Sequence, residues 1–87
     1  MLEHELWSKV MYLLQKHFIG EGYRVVVGKD AILAYFKTYA LFYPDIEGFK
    51  SDLESIGLKL LNIEEFAYDE WISVEIKIGR KNGKEGD

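Results

Sequence analysis

Residues 31–43 read Ala31-Ile32-Leu33-Ala34-Tyr35-Phe36-Lys37-Thr38-Tyr39-Ala40-Leu41-Phe42-Tyr43, thirteen positions with a single charge, Lys37. Asp30 is placed to cap a helix here, and three alanines favour one. A helix that is apolar all round must be buried on every side, however, and a chain of 87 residues can hardly arrange that. As a strand, the same run sends Ile32, Ala34, Phe36, Thr38, Ala40 and Phe42 to one face. Leu33, Tyr35, Lys37, Tyr39 and Leu41 go to the other. We read it as a strand. The alternative, a helix, would make the chain three helices and a C-terminal hairpin. That winged-helix-like arrangement would favour DNA binding through a helix.

The stretch Trp71-Ile72-Ser73-Val74-Glu75-Ile76-Lys77-Ile78 supports the strand reading. Ile72, Val74, Ile76 and Ile78 alternate with Ser73, Glu75 and Lys77, the pattern of a strand buried on one side and wet on the other. Leu58 to Ala67 precedes it as the first arm of a hairpin turning at Tyr68-Asp69-Glu70. The adjacent Leu60 and Leu61 break the alternation there and mark a bulge or two buried patches.

Two amphipathic helices complete the pattern. Between Leu2 and Ile19, Leu6, Val10, Leu13, Leu14 and Phe18 recur at helical spacing, widened by Trp7 and Met11. Lys16 and His17 suit the negative end of that helix, and Gly20-Glu21-Gly22 reads as its stop. Tyr23 to Val27 is a β-branched strand, followed by a turn at Gly28-Lys29-Asp30. Pro44-Asp45 opens the second helix, with Ile46, Phe49, Leu53 and Ile56 as its stripe and Gly57 as its stop. Gly48 inside it costs about 1 kcal/mol relative to alanine, so the helix relies on packing.

The order helix-strand-strand, twice over, predicts an α+β fold: an αββαββ two-layer sandwich with a four-stranded antiparallel sheet and two helices on one face. The order can also be drawn as the ferredoxin-like split βαβ with its first strand moved to the chain's end, a drawing that puts Trp71–Ile78 in the centre beside Ala31–Phe42. That analogy carries no function. Residues 1–79 form one domain, and 80–87 a charged tail expected to fray.

Composition narrows the function classes. The net charge of -4 lowers the prospect of nucleic-acid binding. The absence of cysteine excludes disulfides and thiolate metal sites. Met1-Leu2-Glu3-His4-Glu5 lacks the basic and apolar regions of a signal peptide, and no run is apolar enough to span a bilayer, so we expect a cytoplasmic protein. Scarce amides (Gln15, Asn62, Asn82) beside abundant Lys and Glu resemble hyperthermophile usage.

Catalytic motifs are not found. Gly20-x-Gly22 follows a helix and precedes a strand, the reverse of a dinucleotide fingerprint. His4 and His17 sit on one helix roughly 20 Å apart, too far to share a metal. His17 is expected to meet the terminal carbonyls of its helix. Glu64, Glu65, Asp69 and Glu70 around the hairpin lack the spacing of a calcium loop and read as a charged tip that discourages edge pairing. We therefore expect no catalytic residue, cofactor or metal.

The open sheet face is the candidate site. Tyr35, Lys37 and Tyr39 are expected to face outward beside Trp71, Ser73, Glu75 and Lys77, with Arg24 and Val26 from the first strand. Such a mixture serves as cross-strand pairing on a wet face, as an interface with a second copy or another protein, or as a stacking platform for single-stranded nucleic acid. We expect an interaction or regulatory module that self-associates through Tyr35, Lys37, Tyr39, Trp71, Glu75 and Lys77, with nucleic acid as the alternative partner and no membrane.

Overall fold

The computed structural model describes residues 2–39 and 45–80. They form α1 (Glu3–His17), β1 (Glu21–Val27), β2 (Ala31–Thr38), α2 (Ile46–Ser55), β3 (Leu58–Ala67) and β4 (Ile72–Arg80). The four strands make one antiparallel sheet in the order β1-β2-β4-β3. Residues 31–38 are a strand, which sets the three-helix alternative aside. The expected continuation of that strand to Tyr43, the opening proline Pro44 and the tail from Lys81 onward lie outside the described residues.

The two runs that decide the fold are the two central strands. Ile32, Ala34 and Phe36 of β2 pair with Ile78, Ile76 and Val74 of β4, and all six are buried. Both helices cover that side of the sheet, α1 over β1 and α2 over β3, with their flanks in contact. Leu6, Val10, Leu13, Leu14 and Phe18 from α1 meet Phe49 and Leu53 from α2 in one continuous core. The rings of Phe18 and Phe49 pack edge to face at 4.9 Å. Trp7 is only partly covered, and its indole N–H donates to the Val25 carbonyl at 3.0 Å, tying α1 to β1.

Several local expectations need correction. The glycines after α1 are not its stop. The helix ends at His17, and Phe18, in extended conformation, returns its N–H to the Leu14 carbonyl. Gly22 has φ of 66° inside β1, at a bulge between Glu21 and Arg24. Gly20 serves a close approach: a Cβ there would lie 2.6 Å from the Lys37 carbonyl and 2.7 Å from the Phe36 ring. Gly57, by contrast, ends α2 with φ of 82°, the left-handed conformation a glycine stop requires. Gly48 has a reason to be glycine beyond packing. The Asp45 carboxylate caps α2 by accepting its N–H at 3.1 Å, and a Cβ on Gly48 would collide with that carboxylate.

The bulge foreseen at Leu60 and Leu61 is present. Leu60 pairs with Ile78, Asn62 pairs with Lys77, and Leu61 is the extra residue. One added residue flips the parity of everything beyond it. Ile63 thereby turns back to the core, and Phe66, which counting by twos from Leu58 would bury, turns to the open side. β4 runs two residues past Ile78, and Arg80 donates from Nη1 to the Gly28 carbonyl at 2.9 Å.

Candidate interaction surface

The sheet register places the expected site residues on one face. Across its middle runs a row formed by Arg24, Tyr35, Glu75 and Glu64, one residue from each strand in the order β1-β2-β4-β3. To one side lies the row Val26, Leu33, Lys77 and Asn62. To the other, Lys37 pairs with Ser73 and Ser73 with Phe66. Tyr39, Trp71 and Tyr68 continue the alternation at the hairpin end. All six candidate residues, Tyr35, Lys37, Tyr39, Trp71, Glu75 and Lys77, therefore share this face.

Its aromatic groups are already organised. Tyr68 and Trp71 stack at 4.3 Å across the Asp69-Glu70 turn, which closes with the Tyr68 N–H donating to the Trp71 carbonyl. The Lys37 ammonium sits 5.1 Å from the centre of the Trp71 ring, and the Arg24 guanidinium 5.5 Å from that of Tyr35. The Tyr39 hydroxyl donates to the Glu21 carboxylate, which holds the phenol proton and raises it above its ordinary value.

Nine large hydrophobic side chains among the described residues are exposed, and five of them belong to this face: Val26, Tyr39, Leu61, Phe66 and Tyr68, each between 45% and 56% exposed. Sequence reasoning named Val26 and Tyr39 and missed the others. The signal for Leu61 and Phe66 was the Leu60-Leu61 doublet, whose bulge turns both outward. Leu61 lies over Gly79, close enough that a Cβ on that glycine would touch it at 3.1 Å.

Among the described residues, the charges on the face form no ion pair with one another. Glu64 and Glu75 stand directly opposite each other, an arrangement that destabilises a sheet unless a cation intervenes. Among the described residues, every ion pair lies elsewhere, on the seam between α1 and α2.

That seam was not legible in advance, and the expectation for His17 is corrected there. Its side chain is only 6% exposed, and its nitrogens meet carboxylates instead of helix carbonyls. Nδ1 lies 2.8 Å from Asp45 and Nε2 2.8 Å from Asp52. Both contacts are hydrogen bonds only when both nitrogens carry a proton. Lys16 adds a second partner for Asp52 at 2.9 Å, which raises the lysine above its ordinary value. His17, together with the capped Gly48 N–H, holds the Asp45 carboxyl below the ordinary range, and His17 with Lys16 does the same for Asp52. The two carboxylates occupy opposite edges of the imidazole, so no single ion could be shared by the three groups.

No described helix is long and apolar enough to cross a membrane. No protein-family model, curated protein or solved structure matches the chain.

Proposed function

We propose that this chain is a small interaction module that works by self-association through the open face of its sheet, with no catalytic step of its own. The observation that carries the reading is that five half-exposed apolar side chains lie on the one sheet face that no described helix covers. A sheet face with this many apolar groups in water marks an interaction surface, and Tyr, Trp and Phe are the residues favoured at interface cores. The sheet edges are poorer candidates, because β1 and β3 each carry a bulge that interrupts pairing with a further strand. Nucleic acid is a weaker fit. Glu64 and Glu75 would repel phosphates from the middle of the face, and Trp71 is already covered by Tyr68 and Lys37.

Trp71 reports on this directly. In a Trp7→Phe background its emission is expected to move to shorter wavelength as protein concentration rises, with a saturable midpoint, and to ignore added oligonucleotide. Emission that stays constant from dilute to concentrated protein contradicts self-association. Quenching by an oligonucleotide, reversed by salt, would give the face to nucleic acid instead.

A further inference from the structure

The central row of the open face reads, from edge to edge, positive, aromatic, negative, negative: Arg24, Tyr35, Glu75, Glu64. These residues lie near the middle of their strands, so a sheet packed face to face on this one meets that row first. Two sheets stacked this way keep their strands within about 30° of each other and lie about 10 Å apart. A closed pair of identical chains has a two-fold axis, which for stacked sheets lies between them, either along the strands or across them.

The charges separate the two choices. An axis across the strands sets each strand over its own copy, so Arg24 meets Arg24 and Glu64 meets Glu64. An axis along the strands sets β1 over the partner's β3 and β2 over the partner's β4. The row is then overlaid on its own reverse. Arg24 meets the partner's Glu64, and the Tyr35 hydroxyl meets the partner's Glu75. The same operation sets Val26 over the partner's Asn62, next in sequence to the exposed Leu61. It also supplies a cation to the facing carboxylates of Glu64 and Glu75, which have no ion pair among the described residues of one chain.

We infer that the chain forms an isologous dimer whose two-fold axis runs along the strands and whose register is set by two symmetry-related ion pairs between Arg24 and the partner's Glu64. The inference rests on the self-association proposed above and adds its geometry. An Arg and a Glu side chain reaching towards each other span the gap between packed sheets, and both leave water as the apolar groups around them are covered. Like charges forced together at an interface cost enough to decide the partner.

The test is a charge exchange read by equilibrium sedimentation, with circular dichroism as a check on folding. Arg24→Glu alone and Glu64→Arg alone are each expected to weaken the dimer by about 100-fold or more, since symmetry repeats every repulsion. The double variant Arg24→Glu/Glu64→Arg in one chain is expected to recover an affinity close to the original. A double variant as weak as the single ones overturns the inference, because Arg24 and Glu64 then do not meet across the pair. An axis across the strands, which keeps every residue opposite its own copy, would leave parent and variants alike. Single variants that dimerise like the parent also overturn it, while leaving the open face as an association surface. A parent chain that is monomeric at every concentration removes the underlying reading as well.

Discussion

Replacing Tyr39 and Trp71 together by aspartate is expected to leave a folded monomer. Both positions are on the open face, and neither contributes to the core between helices and sheet. In the strand-parallel dimer Tyr39 lies towards the partner's Trp71, so the double change puts four carboxylates into one aromatic contact. Burying unpaired charge there is costly enough to weaken association by about 1,000-fold or more. The fold loses much less. It forfeits the stack of Trp71 on Tyr68, worth about 1 kcal/mol, the Lys37 ammonium over the Trp71 ring and the exposed hydrogen bond from Tyr39 to Glu21. A sedimentation measurement beside a urea titration separates the two effects. Association that survives the double change would mean that another surface is used. Loss of cooperative unfolding would place these aromatics in the fold instead of the interface.

The second large effect is expected at His17. His17→Leu keeps a side chain of similar bulk against Phe49 but removes the group that both Asp45 and Asp52 face. The end of α1 then loses both side-chain contacts of His17 and keeps the Asp45 N–H on its carbonyl at 3.4 Å and the Lys16 pair with Asp52. We expect the melting temperature to fall by roughly 5–10 °C, a large shift for a domain of this size. The pH profile is the more specific sign. Asp45 and Asp52 are held below the ordinary carboxylate range, chiefly by hydrogen bonds to His17. A carboxyl with a lowered value stabilises the fold fully above its unfolded value, and that stabilisation disappears as pH falls through the folded value. The parent should therefore lose stability as pH drops below about 4, and His17→Leu should show a shallower decline over the same window. A variant with the parent's acid profile would mean that the histidine does not hold these carboxylates.

The fold was largely readable because its deciding signals are periodic. The alternation of Ile32, Ala34 and Phe36 and of Val74, Ile76 and Ile78 is short-range information, and burying both sets at once leaves few arrangements for two helices and four strands. What escaped was set by contacts between distant residues. His17 looked like a helix-end histidine, because its partners lie 28 and 35 residues away. Gly20 and Gly22 looked like a helix stop, although one is needed for close approach to β2 and the other for a bulge. Gly48 looked like a weakness in α2, and its missing side chain makes room for the cap. On the open face the named residues came from the two clean strands and, for Arg24 and Val26, from β1. Leu61 and Phe66 were overlooked because the bulge that turns them outward resets the alternation midway along β3.

The central claim is that two copies of this chain cover each other's open sheet. Molar mass by light scattering on a sizing column, at low and high salt and across a range of loading concentrations, tests it most directly. The expected result is a mass that approaches twice 10.2 kDa as concentration rises, in high salt as well as low, because apolar burial holds the pair and salt screens its enclosed charges only weakly. A mass that stays at 10.2 kDa at every concentration and both salt levels would contradict it.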